Sequence, residues 1–261
     1  MALLEIKNLT LRFGGLCAVN ALSLDIEEGS IRSLIGPNGA GKTCVFNCLT
    51  GFYKPSSGEM IFREKSLVNK KPHLITYLGL ARTFQNLRLF KSMSVLENVM
   101  SGMHCRTNAA FLTTVLRTGG QKKEEKHIRD VAEECLDFVG ILDKKHFIAS
   151  NLPYGDQRKV EWARALATQP KMLLLDEPAA GLNKDEKSRL IELMHRIRDE
   201  RNITIFLIEH DMGLVMKVSE KIFVIDYGVK IAEGTAQEVR DNPKVVEAYL
   251  GKEEEEEEAS A

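Results

Sequence analysis

The sequence predicts an α/β fold with a mostly parallel core sheet, an N-terminal antiparallel β-subdomain and an inserted α-helical subdomain. Three observations carry that reading. Short strand-like segments crowd the first 35 residues, a helical pattern fills the middle, and strand and helix then alternate toward the end. Alternation of that kind builds right-handed β-α-β units, whereas several short strands ahead of them suggest an antiparallel layer. The first strands run from Leu4 to Phe13 with a break at Asn8, from Ala21 to Ile26 and from Ile31 to Ile35. A helix from Lys42 to Leu49 follows, then a turn at Lys54-Pro55-Ser56-Ser57-Gly58 and a short strand at Met60 to Phe62.

The insert covers about residues 90 to 165. Its period is clearest from Lys122 to Leu142, where Ile128, Val131, Cys135, Phe138, Val139 and Leu142 recur at three- and four-residue steps. After it, strands at Met172 to Leu175, Ile203 to Ile208 and Ile222 to Ile225 alternate with helices at Asp185 to Arg198 and Gly213 to Val218. Small helices near Thr235 to Arg240 and Pro243 to Leu250 close one domain of residues 1 to 250, with no internal repeat and no flexible linker in its body.

Composition narrows the class. A chain of 261 residues is long enough for a large core. Its formal net charge is −1, but Glu253 to Glu258 alone carry six negative charges, so the rest is mildly basic. Residues 251 to 261 read as an acidic, disordered tail. No run approaches the eighteen or so apolar residues of a membrane helix, and the N-terminus lacks the pattern of a secretory signal. Five cysteines, without a C-x-x-C pair, suit reduced thiols better than disulfides or a zinc site.

Two local patterns carry chemistry. Gly36-Pro37-Asn38-Gly39-Ala40-Gly41-Lys42-Thr43 fits the phosphate-loop pattern G-x-x-x-x-G-K-[ST] between a strand and a helix. Glycines let successive backbone N–H groups turn toward an anion, and the helix adds the positive end of its dipole. Lys42 is suited to the β- and γ-phosphates of a nucleoside triphosphate and the Thr43 hydroxyl to Mg²⁺. The second pattern is the apolar strand from Met172 that ends in Asp176-Glu177-Pro178 and so delivers two carboxylates to the carboxyl edge of the sheet. Asp176 there is placed to hold Mg²⁺ through water, and Glu177 to act as general base on the attacking water.

Leu152-Pro153-Tyr154-Gly155-Asp156-Gln157-Arg158-Lys159-Val160-Glu161 resembles the signature motif of ATP-binding-cassette ATPases. Gln85, in Arg82-Thr83-Phe84-Gln85-Asn86, resembles that family's Q-loop glutamine. Ala179-Ala180-Gly181-Leu182-Asn183 resembles its D-loop, His210 its switch histidine and Phe13 the aromatic on which adenine stacks. The resemblance covers residues 3 to 250. It implies a phosphate-loop ATPase cassette with Lys42, Gln85, Glu177 and His210 as catalytic residues and Thr43, Gln85 and Asp176 around Mg²⁺. ATP would lie against Phe13 and the loop from Gly36 through Cys44. Leu152, Gly155, Asp156 and Gln157 would face the ATP of a second cassette, since two such subunits close head to tail on two ATP molecules.

The stretches Arg12 to Asn20, Val45 to Pro55, Ala81 to Phe90 and the Leu-Pro-Tyr-Gly signature resemble the ATPase subunit of branched-chain amino acid importers in particular. That resemblance implies an identical or mixed ATPase pair, integral-membrane permeases, indirect work with a substrate-binding protein, no nucleic-acid partner, and a peripheral position on the cytoplasmic face of the inner or cell membrane. Relatives acting on urea, short amides or lipopolysaccharide, and non-transport cassettes of translation or DNA repair, are the alternatives. A docking groove for a permease helix is expected at Phe84, Leu87, Leu89, Phe90, Met93, Met100 and Met103, with a core role for the same residues as the other reading.

The chain departs from the family pattern at four places. Pro153 stands for the signature serine, Tyr154 for its first glycine, Cys44 for a hydroxyl residue beside the α-phosphate, and Asn183 for the D-loop aspartate. Each missing charge-assisted hydrogen bond is worth about 1.5–3 kcal/mol, so activity is expected but equal turnover at the two sites of a dimer does not follow from the sequence.

Overall fold

The computed structural model describes residues 2–106 and 119–249. Residues 107–118 of the insert and the acidic run from Glu253 to Glu258 lie outside the described residues.

Two sheets and the helices between and around them build the domain. Strands β1 (Ala2–Phe13) and β2 (Leu16–Glu27) form a long antiparallel hairpin, with β4 (Ser57–Phe62) and β5 (Lys65–Ser66) extending it in the order β2-β1-β4-β5. The second sheet has the order β10-β9-β3-β8-β7-β6, from β3 (Ile31–Ile35), β6 (Leu80–Arg82), β7 (Met172–Asp176), β8 (Thr204–Ile208), β9 (Lys221–Asp226) and β10 (Val229–Gly234). All its pairings are parallel except β9 with β10. β3, β7 and β8 are buried along their whole length, as parallel strands covered on both faces must be.

The break expected at Asn8 is a bulge inside one continuous strand. Asn8 adopts φ 51°, the pairing slips between Ile6 and Leu9, and the Ser23 hydroxyl accepts the freed Asn8 N–H at 2.8 Å. β2 begins five residues before the expected start because hairpin pairing with β1, Phe13 with Leu16, Arg12 with Cys17 and Leu11 with Val19, carries the strand back to the turn.

Helix α1 (Lys42–Leu49) lies between the two sheets. Phe46 packs on Phe206 there, their ring centroids 5.2 Å apart, among Leu4, Ile26, Leu34 and Leu174. The opposite face of the parallel sheet, through Ile31, Leu173, Leu175 and Leu207, packs against α6 (Lys184–Arg201) and the helical insert. The insert contains α3 (Val95–Met100), α4 (Gly119–Phe138) and α5 (Tyr154–Ala167), which pack on one another; α2 (Pro72–Leu78) leads into β6 ahead of it. A capping box between Ser94 and Glu97 starts α3. On α4 the expected face is inward: Cys135, Phe138 and Val139 are buried, while Ile128, Val131 and Leu142 pack partly buried against the same cluster. α7 (Met212–Val218), α8 (Ala236–Arg240) and a helix α9 over 243–249 follow as far as the described residues reach, and a small third cluster of Ile35, Val215, Val224, Val239 and Val245 binds them to the sheet.

Candidate functional site

The phosphate loop leaves the carboxyl end of β3 and enters α1 through Gly41, which caps the helix at φ 100° without any side-chain cap. Its geometry demands glycine at two positions. A Cβ on Gly36 would lie 2.0 Å from the Ile225 carbonyl oxygen, and one on Gly41 2.4 Å from that of Ala18. Gly39, by contrast, has φ 78° and nothing within 4 Å of where a Cβ would stand, so this part of the loop borders open space. The Gly228 N–H donates to the Ala40 carbonyl at 3.0 Å, so the β9–β10 turn props the loop from behind.

Lys42 is buried, and its Nζ donates to the carbonyl oxygens of Gly36 (2.7 Å) and Pro37 (2.9 Å) across the loop. Thr43 is exposed in the first turn of α1, and Cys44 half-buried, with burial pushing its thiol above the ordinary value. Phe13, 45% exposed at the end of the β1–β2 hairpin, meets Tyr53 edge-on at 5.2 Å, so the expected adenine platform has a second aromatic beside it.

Asp176 ends β7 and is held by a residue to which no motif assigns a role. Arg82 Nη2 donates to Asp176 Oδ2 at 2.6 Å, with the two side chains 5% and 6% exposed, and Arg82 Nη1 donates to Asn47 Oδ1 at 2.7 Å. The arginine therefore ties β6 to β7 and to α1. Glu177 follows in the left-handed region at φ 47°, its N–H donating to the Ile208 carbonyl at 2.9 Å. Three of the four expected catalytic residues meet at its carboxylate. Gln85 Nε2 donates to Glu177 Oε2 at 2.7 Å, and His210 Nδ1 lies 3.6 Å from the same oxygen.

These groups fit the cofactor expected for them. An exposed hydroxyl opens a helix N-terminus, an aspartate stands at a strand end, and a carboxamide lies close by. Mg²⁺ binds through one or two such groups plus water and phosphate oxygens rather than an all-protein cage. Among the described residues no group of three or more His, Cys, Asp or Glu side chains is arranged to hold a metal by itself.

The signature segment starts α5 at the Pro153 N-cap, without a side-chain cap. Two of its expected ATP-facing side chains are bonded within the subunit. Asp156 pairs with Lys144 at 2.5 Å and Lys159 at 3.5 Å; burial works against its charge, but the two lysines outweigh that and hold its carboxyl below the ordinary value. Gln157 Nε2 donates to the Leu152 carbonyl at 2.8 Å, and Leu152 itself is buried. Gly155 and the helix start are what this segment offers outward. Asn183, in place of the D-loop aspartate, caps α6 by accepting the N–H groups of Asp185 and Glu186 at 3.0 Å each.

Tyr154 has a structural reason to replace glycine. Its hydroxyl accepts from Arg158 Nε (3.1 Å) and Nη2 (2.8 Å), and the buried Arg158 in turn donates to the backbone carbonyls of Phe84 (3.0 Å) and Gln85 (2.7 Å). Glu161 Oε1 accepts the Phe84 N–H at 3.3 Å from the same helix. The signature helix thus grips the Q-loop backbone at three points. Tyr154→Phe removes the acceptor shared by two guanidinium donors and is expected to lower stability by about 0.5–1.5 kcal/mol in urea unfolding. An unchanged midpoint would show that the hydroxyl contributes nothing to the grip.

A phosphate loop at a helix start, a strand-end carboxylate pair and a glutamine and histidine gathered on the second carboxylate define a phosphate-loop nucleoside triphosphatase. Sequence comparison gives the narrower class: the chain belongs to the ATP-binding-cassette transporter family, among its branched-chain amino acid transport ATP-binding proteins. The ABC transporter family model matches residues 19–180, and a second, for the branched-chain amino acid ATP-binding cassette transporter, matches residues 229–255. The chain is 48% identical to the high-affinity branched-chain amino acid transport ATP-binding protein LivG of Salmonella typhimurium and 46% identical to BraF of Pseudomonas aeruginosa, in each case over 95% of this chain and 98% of the relative. Among solved structures, the ADP conformation of an ATP-binding cassette of an ABC transporter superposes with a TM-score of 0.83 at 32% identity, over 96% of this chain and 99% of that one. A dimeric cassette in a post-hydrolysis state, bound to ADP and Pi, shares the fold with a TM-score of 0.75 at 24% identity, over 89% of this chain and 98% of that one. The chain is an ATP-hydrolysing transporter ATPase. Among the described residues no helix is long and apolar enough to cross a membrane.

Proposed function

We propose that this chain is the ATP-hydrolysing motor subunit of a branched-chain amino acid importer, docked on membrane permeases at the cytoplasmic face and served by a substrate-binding protein. The convergence of Gln85 and His210 on the Glu177 carboxylate is the observation that carries the hydrolytic part of this reading. Its cargo follows from relatives that are 46–48% identical along nearly their whole length.

In this reading Lys42 and the amides of Gly39, Gly41 and Thr43 bind the triphosphate, and Phe13 with Tyr53 flanks the base. Thr43, Asp176 and Gln85 would hold Mg²⁺, which would supply positive charge to offset that of the phosphates. Glu177 takes the proton of the attacking water, and His210 orients that water against the γ-phosphate. A second ATPase subunit, identical or not, supplies Gly155 and its own α5 N-terminus to the phosphate that this loop holds, and receives the same in return. Because Arg158 and Glu161 grip the Q-loop, a shift of Gln85 on nucleotide binding is carried into the helix that faces the partner.

The expected docking groove needs revision. Met103 is fully in the helical core, and Leu89 and Met100 pack against that core, so these three side chains serve the insert's own stability. What lies open is a groove of about 370 Å³ lined by Phe84, Phe90, Glu161 and Arg164 among others, and Phe90 is 53% exposed at its lip. That aromatic lip suits a permease helix. An aromatic anchor of this kind is worth about 2 kcal/mol or more, so Phe90→Asp is expected to lower transport by roughly thirtyfold at unchanged ATP affinity. Full transport by that variant would remove the groove from the docking surface.

The reading as a whole is tested by uptake of labelled leucine, isoleucine and valine into vesicles carrying the complex, with and without this subunit. Loss of all three uptakes without it is the expected result. Uptake of urea but not of leucine would overturn the cargo, and copurification with ribosomes or DNA in place of permeases would overturn transport.

A further inference from the structure

Glu209, between the end of β8 and His210, is completely buried, and the mechanism above gives it no task. Its surroundings do. Glu209 Oε1 accepts the Ala179 N–H at 2.8 Å, and Oε2 accepts the N–H groups of His210 at 3.0 Å and Asp211 at 3.2 Å. One carboxylate therefore joins two loops far apart in sequence: the turn that carries Glu177 and the loop that carries His210.

The Glu177 turn has need of an anchor. A glutamate at φ 47° is in a strained backbone region, and such conformations persist only where the surroundings over-determine them. The Glu177 N–H is fixed to the Ile208 carbonyl on β8. Pro178 has no N–H to give, so Ala179 is the next residue whose amide can be tied down, and Glu209 takes it. The neighbouring cation is already engaged, since Lys187 Nζ bonds Asp211 Oδ2 at 2.5 Å. A buried carboxylate is costly unless it is fully hydrogen-bonded, and here backbone amides of both loops do that work. Removing the carboxylate unties the loops; moving either loop strains the carboxylate.

We propose that Glu209 is a positioning residue that locks the Glu177 turn to the His210 loop, so that general base and histidine keep one register and move as one body. This rests on the assignment of Glu177 as general base. It goes further by giving the D-loop start and the switch loop a single mechanical joint.

Glutamine is the sharpest probe, because both oxygens of Glu209 face donors and a carboxamide nitrogen must confront one of them whichever way it turns. In the nucleotide-free protein, Glu209→Gln is expected to speed amide exchange at Ala179, His210 and Asp211 by about tenfold or more while the amides of α1 keep their protection. ATP turnover is expected to fall by about ten- to a hundredfold with KM for ATP within about threefold of wild type. Combined with Glu177→Gln, the same change is expected to cost less than about twofold more, since the register it keeps is that of the histidine with a base already removed. Glu209→Asp keeps the charge but is one methylene short, so it is expected to release Ala179 alone and still lower turnover; it decides the question if the glutamine variant does not fold. Wild-type turnover in the folded variant, losses that multiply in the Glu177→Gln background, or ATP affinity falling in step with turnover would each overturn the joint. Wild-type turnover in Glu177→Gln alone would instead overturn the general-base assignment beneath it.

Discussion

Glu177→Gln is expected to lower ATP turnover by roughly 10²–10⁴-fold and to leave ATP affinity within about threefold of wild type. The substitution is close to isosteric. Glutamine keeps an oxygen that can accept from Gln85 Nε2 where Glu177 Oε2 now does, so the Q-loop keeps its anchor. The strained backbone at Glu177 is held by its own N–H to Ile208 and by the Ala179 anchor, neither of which involves the substituted side chain. What disappears is the capacity to take a proton from water, because an amide oxygen is far less basic than a carboxylate. Affinity resides elsewhere, in the amides of the loop opened by Gly36, Gly39 and Gly41 and in Lys42. Binding without turnover should trap the closed pair, so size-exclusion chromatography with ATP is expected to show a dimer in the variant at concentrations where the wild type elutes as a monomer. Turnover at the original rate would pass the general-base role to another group.

The features legible in the sequence share one property: the chemistry of each is compressed into a few adjacent residues. Gly36 through Thr43 dictates a backbone shape, and the apolar run from Met172 to Leu175 followed by Asp176 and Glu177 dictates a buried strand with charges at its end. The face of α4 was legible because Cys135, Phe138 and Val139 repeat at the helical period. By contrast β6 has three residues, too few to show any period, and it exists because β7 pairs with Leu80, Ala81 and Arg82. Among the described residues β10 pairs only with β9, at the sheet edge, and its mixed exposure hides the alternation that marks a strand. Met100 and Met103 read equally well as groove or as core, since a flexible apolar side chain suits both, and only packing could decide. In the site, motif position named Gln85 and His210, but Arg82, Arg158 and Glu209 act through partners that include distant residues. Arg158 shows this most clearly: next to the signature it looks like a solvated helix cation, and burial against the Q-loop carbonyls gives it its work.

Arg82→Ala is expected to destabilise the nucleotide-free protein by about 3–5 kcal/mol, read from urea unfolding, because it leaves Asp176 buried and unpaired. The pair is 2.6 Å long with both side chains about 5% exposed, so water is poorly placed to replace the lost guanidinium. The same arginine also donates to Asn47 Oδ1 at 2.7 Å and lies over the rings of Phe46 and Phe84 at 5.6 and 5.0 Å, so its removal loosens α1, which carries the phosphate loop. Charge and packing can be separated. Adding Asp176→Asn to Arg82→Ala removes the stranded charge and is expected to recover more than half of the loss, whereas Arg82→Lys keeps a charge but lacks the fork that reaches Asp176 and Asn47 together, and is expected to fall between. A double variant no more stable than Arg82→Ala would assign the loss to packing against Phe46 and Phe84. If Arg82→Ala unfolded within about 1 kcal/mol of wild type, the pair would be a weak contact of the kind found at surfaces. The expected result instead makes Arg82 the reason that Asp176 stays fixed at the end of β7, so its side chain is in position before any nucleotide arrives.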